Sequence, residues 1–413
     1  MPNTTLTAAI IAKECLFILE NELGVLKTLY RAHEKEFSNS VNGYKVGDTI
    51  SIRRPADFTV RTGAVDSAQD VIEGKTTLTI DQQIGIGFQF SSLELTLGIK
   101  DLSERIIKPA MSSILNAMAV DVFGKMYLGT YNWVGTPGQT VDAFADFAKA
   151  PERLDICSTP MDGRAAALHP SDHWGLLGSQ TALFMQDVAK SAYRDRSLGA
   201  IGGVDTWMSQ ALPTHTVGAH GGTPLINGAS QNVTYATAKD TWTQSLITDG
   251  WTNSITGILK AGDVFTIAGV NKVNPKTKVT TGVLQQFVVT ADADSGATTG
   301  PATLTISPPI IVSGPHQTGN AAPADNAAIT VLGTASTAYR QNLAYHKNAM
   351  ALAIVPMEMP VAAYNGARET YKDISCRVIP TYDGVNDISK WRMDLLYGRR
   401  LIDPRITTRL SGT

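Results

Sequence analysis

His169 and His173 stand four residues apart, the spacing that places two imidazoles on one helix face as zinc ligands. Pro170 lies between them, so His169 ends a strand, and no glutamate follows it to act as a base. An ordinary strand–helix junction is the stronger reading. His215 and His220 flank a glycine-containing loop, with Asp205 and Ser209 nearby in sequence, which are the residue types of a hydrolytic triad. No serine has the surroundings of a nucleophile elbow. A hydrolase or metal-dependent enzyme using His169, His173 or His215 is therefore the chemical alternative for this chain, and a weak one. Glu73-Gly-Lys-Thr76 ends like a phosphate-binding loop, but Gln69 replaces its first glycine and a strand follows. Gly85-Ile-Gly87 begins like a dinucleotide fingerprint, lacks the third glycine and lies inside a strand, where close approach to a neighbouring backbone accounts for it.

The remaining reactive and charged groups point elsewhere. Cys15, Cys157 and Cys376 are widely spaced and odd in number, which excludes a disulfide framework and suits a reducing compartment. Cys157 follows Ile156, and Cys376 shares a strand face with Ile374 and Val378, so both read as small core groups. Arg53, Arg54, Arg399, Arg400, Arg405 and Arg409 read either as solvated surface charge or as partners for carboxylates across a subunit interface, which the planar guanidinium suits. The C-terminal arginines have contact with nucleic acid as a further option.

These groups are carried by a chain of 413 residues, enough for two or three domains at roughly 100–200 residues each. With 43% hydrophobic and 17% charged residues it can build a core, which excludes a disordered chain. A net charge of −2 excludes a nucleic-acid binder that works by bulk positive charge. The N-terminus has a short apolar stretch with no basic residue before it, interrupted by Lys13 and Glu14, so no signal peptide is expected. No membrane association is expected either, since no window approaches about 20 uninterrupted apolar residues.

Periodicity supplies the elements. Leu6 to about Phe37 has helical spacing, broken near Asn21 and Gly24 into two short helices. Lys45–Pro55 and Lys75–Phe90 alternate apolar and polar residues around a polar segment, which predicts an extended hairpin of two long strands. Its apolar positions include Val46, Ile50 and Ile52 on one limb and Ile84, Ile86, Phe88 and Phe90 on the other. Ile107, Met111, Ile114, Met118 and Val122 form a helical stripe through about Leu128, with Pro109 near its start. From 139 to 222 the pattern is α/β: a helix over Val141–Ala150, a strand over Ala165–His169, and a helix from Leu176 to Tyr193 with Ser171 as its N-cap. From Gly221 to Ala338 the chain turns rich in Thr, Gly, Ala and Val, with short alternating runs, which predicts an inserted all-β module. α/β patterning resumes at Leu343.

In that order the elements resemble the major capsid proteins of tailed double-stranded-DNA phages. More closely they are similar to the coat-protein family of the short-tailed Salmonella phage, whose members carry an inserted β-barrel. The residues carrying the resemblance are Ser103-Glu-Arg-Ile-Ile-Lys-Pro-Ala-Met111, Asn116-Ala-Met-Ala-Val-Asp121, Leu168-His-Pro-Ser-Asp-His-Trp174, Leu259–Val270, Asn348–Pro356 and Leu396–Pro404. The resemblance implies an α+β tailed-phage major-capsid fold with N-arm, extended β-hairpin loop, spine helix, peripheral and axial domains, and an inserted all-β barrel-like domain. On this chain the implied parts are an N-terminal helical arm at 1–40, the hairpin loop at 41–100, and the spine helix and peripheral domain at 101–195. The axial domain begins at 196–222, the inserted barrel is 223–342, and 343–413 is the return segment of the axial and peripheral domains.

The implied function is structural: copies tile an icosahedral head shell as hexamers and pentamers and enclose double-stranded DNA without sequence-specific binding. The implied partners are the chain itself, a scaffolding protein, a portal protein and a decoration protein. The implied location is the virion capsid, assembled in the cytoplasm of the bacterial host. No cofactor, metal or catalytic residue is implied. A long hairpin that cannot bury a face within its own chain is expected to find that burial in a partner. Arg53, Arg54, Phe58, Phe88, Phe90, Arg399, Arg400 and Arg405 are the expected intersubunit contacts. A tail or surface-fibre protein with an immunoglobulin-like insert is the other structural alternative.

Overall fold

Helical and alternating patterns become two units in a computed structural model that describes residues 8–33, 40–41, 44–45, 48–60, 63–64, 68–91, 103–181, 198–360, 366–372 and 374–413. The first unit comprises Met1–Ser51, Thr77–Val122 and Met350–Arg400; the second comprises Ile52–Thr76, Phe123–Ala349 and Leu401–Thr413. Val46, Phe37 and the segment up to Tyr193 fall outside the described residues, so the limb face, arm end and helix end placed there are not described.

In the first unit, α1 (Ala8–Glu22) buries Ile11, Cys15, Leu16, Ile18 and Leu19 and gives way to a 3-10 turn over Gly24–Thr28. The break expected near Gly24 is real: this residue has a φ of 51°, a conformation that costs glycine little. The unit's main sheet runs in the order Ala367–Tyr371, Ile374–Asp383, Ile388–Leu401, Lys75–Ser91, Thr49–Arg53. The 17-residue Lys75–Ser91 strand pairs with Ile388–Leu401 from Ser91 opposite Ile388 to Ile80 opposite Gly398.

The two limbs of the extended hairpin are neighbours in this sheet, but the expectation of two long strands is corrected. The first limb is a five-residue edge strand, and most of the second limb pairs with the return segment. Alternation identifies a strand and its faces but carries no information about its partner. On one sheet face Cys376, Val378, Met393, Leu395 and Tyr397 are buried. Gly85 lies on the other, where an added Cβ would come within 2.3 Å of the Met393 carbonyl and 2.5 Å of Asp394. The close backbone approach expected there is present.

The spine helix, α2 (Lys108–Gly129), follows a π-helical turn over Ser103–Ile107. Ile107, Met111, Ile114, Met118 and Val122 are all buried, as their spacing requires. By length and composition α2 with its preceding turn is apolar enough to cross a bilayer, contrary to the expectation from uninterrupted apolar runs. Its Asp121 accepts hydrogen bonds from Tyr397 (2.8 Å) and Arg399 (2.7 Å) of the main sheet, which makes it a core helix of this unit.

The second unit is built on a sheet in the order Trp133–Val134, Thr407–Leu410, Asn342–His346, Arg164–Leu168, Val204–Met208, Ala200–Ile201. Its core includes Val141, Phe147, Leu168, Leu176, Val204 and Leu410. α3 spans Phe144–Ile156, running through Pro151 rather than stopping at Ala150. Burial of Phe147, Ala150 and Leu154 on one face outweighs the donor lost at the proline. α4 (Pro170–Thr181) opens at Pro170, and the ring nitrogen Nδ1 of His169 accepts from the Ser171 N–H at 3.4 Å, so the capping group is His169 and not Ser171. After the insert, the described residues form strands and short 3-10 turns rather than α/β structure. The run Ala-Met-Ala-Leu-Ala-Ile is too short for its period to separate a helix from a buried strand.

The inserted module is a six-stranded antiparallel sheet, Gly222–Ile226, Gln244–Trp251, Ala302–Ser307, Thr280–Val289, Val264–Val273, Ile329–Val331. Its ends nearly meet, since Leu225 bridges Ala328 and the Ile226 N–H donates to the Ala327 carbonyl at 3.0 Å. The interior is mainly apolar, with Ile226, Leu246, Phe265, Phe287, Leu304 and Ile306 fully buried and the two phenylalanine rings 5.8 Å apart.

Candidate assembly surface and the fate of the reactive residues

The enzymatic constellations do not assemble. His169 spends Nδ1 on the helix entry, and the His173 N–H donates to the His169 carbonyl at 2.9 Å, so the two residues serve one helix turn. No group of three or more metal-ligating side chains of the His, Cys, Asp and Glu types occurs among the described residues. His215 is buried, and its partner is Asp263 (Nε2 to Oδ1, 2.7 Å) rather than Asp205. Asp263 Oδ2 accepts from the backbone N–H groups of Gly218 (2.9 Å) and Lys260 (2.7 Å), which makes this pair a loop anchor. Ser209 Oγ accepts from the Ala211 N–H at 3.2 Å, and His220 Nε2 lies 3.2 Å from the Gly333 carbonyl. In the phosphate-loop look-alike, Gly74 packs against the Lys239 carbonyl, where a Cβ would come within 2.3 Å.

The arginines separate into exposed and internal groups. Arg53 is four-fifths exposed and pairs with Glu73 at 2.9 Å. Arg400 is also exposed. Arg399 departs from the expected intersubunit pairing: only 7% of its side chain is exposed, and it donates to Asp81 and Asp121 of its own unit at 2.7 Å each. The burial that drives this is shared by Tyr397, whose hydroxyl is pushed up first by desolvation and then by its hydrogen bond to Asp121. Arg409 cannot touch nucleic acid. It is fully buried between the rings of Tyr127 and Trp133, 5.4 Å from each, and donates to the Tyr127 and Thr130 carbonyls.

Arg405 and Arg54 hold a cluster that no sequence spacing announced. Arg405 donates to Asp57 at 2.6 Å and to Asp403 at 2.9 Å, so it too is engaged within its own unit. Arg54 and Arg405 both lie over the Trp242 ring, 5.5 and 5.9 Å from its centroid. His316 stacks on Tyr235 with centroids 3.6 Å apart, and Lys276 and His316 approach Asp57 at 3.3 and 3.5 Å. Desolvation would raise the Asp57 pKa, but Arg405 and Lys276 hold it below the usual carboxylate range. Burial drives His316 the other way, lowered to about 4 with help from Arg405 and Lys278 and against the opposing pull of Asp57. Only the Asp403-Pro-Arg405 sequence hinted at the cluster, because a carboxylate two residues before an arginine can fold back on it.

This cluster fixes Asp57 while its neighbours Phe58 and Val60 stay exposed, Val60 at 91%. Val71 and Ile72 on the returning limb are exposed as well. The loop pinned at Asp57 thus presents four outward apolar side chains, the opposite of what a self-sufficient loop does. Phe88 and Phe90 meet edge to face at 5.4 Å on the long strand and remain half-buried.

The chain thus combines an α+β fold and a nearly closed barrel with apolar side chains turned outward, and among the described residues the candidate catalytic groups do not come together. The chain belongs to the P22 coat protein (gene protein 5) family, whose model matches residues 7–412. It is 24% identical to a major capsid protein of Acyrthosiphon pisum secondary endosymbiont phage 1, over 98% of this chain and 97% of that one. A solved structure from Mycobacterium phage Che8 is similar with a TM-score of 0.49, 12% identity, and coverage of 94% and 91% of the two chains. The capsid structure of Cyanophage P-SCSP1u has a TM-score of 0.42 and 10% identity, with coverage of 95% and 98%.

Proposed function

We propose that this chain is the subunit of a phage head shell, that copies of it meet through the loop carrying Arg53, Phe58 and Val60 and through the strand carrying Phe88 and Phe90, and that the shell encloses double-stranded DNA. The coat-family match across residues 7–412 carries the reading. The exposed apolar loop supports the contact assignment, since its side chains gain burial only from another molecule. Arg400 joins this set as an exposed cation, while Arg54, Arg399 and Arg405 act by shaping their own unit. The order of parts along the chain supports an arm at 1–40, a loop at 41–100, a spine and peripheral part at 101–195, an axial part at 196–222, an inserted barrel at 223–342 and a return segment at 343–413. Assembly takes place in the bacterial cytoplasm with a scaffolding protein, a portal protein and a decoration protein as partners. Three reduced cysteines without a disulfide framework suit that compartment.

Electron microscopy of the full chain under assembly conditions tests this. Closed shells are expected, and a double Phe58→Asp, Val60→Asp variant that keeps its circular dichroism should yield only unassembled subunits. Discrete small oligomers from the unsubstituted chain under every condition would overturn the shell reading, and normal shells from the variant would overturn the loop contact.

A further inference from the structure

Three sulfur atoms converge beneath α1 in the first unit. Cys15 projects from the helix onto the buried sheet face, where its thiol donates to the Met393 sulfur at 3.3 Å. Cys376 lies on the adjacent strand, two residues before Val378, which pairs with Met393, so Cys376 shares their face. Cys15, Cys376 and Met393 are each fully buried. Sequence spacing gave no reason to pair two cysteines so far apart, and no assembly role described above uses them.

We propose that Cys15 and Cys376 are a disulfide-forming pair that, once oxidised, ties the N-terminal helix covalently to the main sheet. The two cysteines come from different elements, and both lie on the sheet face that carries Met393, where the Cys15 sulfur meets the Met393 sulfur. With oxidised glutathione the step balances. The Cys15 thiolate attacks one glutathione sulfur and releases the first glutathione; the Cys376 thiolate then attacks the Cys15 sulfur and releases the second. Two protein thiols are oxidised and one glutathione disulfide is reduced. The Cys376 pKa is raised well above its ordinary value, first by hydrogen bonding with the Cys15 thiol and then by burial. That holds Cys376 protonated and slow to react while α1 is docked, so the link stays open in a reducing cell and closes after prolonged exposure to oxidant. The third cysteine is an internal control: Cys157 is buried in the second unit, near Asn132 (3.9 Å).

The test is to incubate the full chain with oxidised glutathione, unfold it in denaturant with an alkylating reagent, and map the peptides. One alkylated cysteine, Cys157, is expected instead of three, together with a peptide linking Cys15 to Cys376. Cys157→Ala should leave the link intact and Cys15→Ser should abolish it. Three alkylated cysteines after incubation at raised pH, or a link that includes Cys157, would overturn the proposal. Peptide mapping of the unsubstituted chain decides the matter even if a cysteine variant misfolds.

Discussion

The inserted barrel and the long sheet use the same strand alternation to opposite ends. In the barrel, the strands turn one row of side chains into a shared interior where Phe265, Phe287, Leu246 and Ile306 are wholly buried. In the long sheet, the strand from Lys75 to Ser91 buries Leu78 near its start, but from Asp81 onward it alternates between exposed and half-buried positions with none fully covered. A barrel closes on itself and removes its edges, while an open sheet keeps both an edge and an uncovered stretch of face. The first design stabilises a subunit; the second leaves surface for another molecule.

Substitutions at Phe287, Arg405, His316, Phe88 and Phe90 test that contrast. Phe287→Ala opens a cavity in the closed interior and should cost about 3–5 kcal/mol in denaturant unfolding followed by tryptophan fluorescence. A cost under 1 kcal/mol would show that the barrel is loosely packed. Arg405→Ala leaves Asp57 and Asp403 buried without their shared cation, at a cost of up to about 3–5 kcal/mol, less where water reaches the cluster. Arg405→Lys should recover only part of it, because an ammonium cannot reproduce the forked contacts.

A pH series reads the same cluster more gently. His316 is held at about 4 against 6.5 for a free imidazole, so the unfolded chain takes up a proton before the folded one does. Its contribution is complete above pH 6.5 and falls away as the pH drops toward 4, and Asp57 and Asp403, whose pKa values are lowered, extend the loss below that. His316→Phe keeps a ring against Tyr235 and should flatten the upper part of the curve; an unchanged slope between pH 6.5 and 4 would show that other groups set it. Phe88→Ala or Phe90→Ala should cost the isolated subunit only about 1 kcal/mol, since neither ring is fully buried. Shell yield by sedimentation should fall much further than stability does. A large loss of stability with unchanged shells would reverse the contrast between the two sheets.

How much of this was legible depends on the range of the information. Helix stripes such as Ile107–Val122 and the strand runs of the insert were readable because the period of a buried face is local. The pairing of Lys75–Ser91 with Ile388–Leu401 was not, because partner choice is set by the whole fold. The strand–helix junction at His169 and His173 was readable from Pro170 between them. The internal partners of Arg399, Arg405 and Arg409 were not readable, because a guanidinium has the same sequence signature on a surface, in a core beside Trp133, or in an ion-pair cluster. Asp57, Trp242 and His316 went unnoticed for the same reason: their significance lies in meeting each other, across separations no motif spans.

The bond between Arg405 and Asp57 joins residues 348 positions apart. During synthesis a ribosome must therefore make nearly all of the intervening chain before the loop at Asp57 can be pinned. Until then Phe58 and Val60 sit on a slack tether. The order of translation thus withholds the proposed contact surface until the rest of the second unit exists, so on that proposal a nascent subunit has no finished surface to offer a neighbour prematurely.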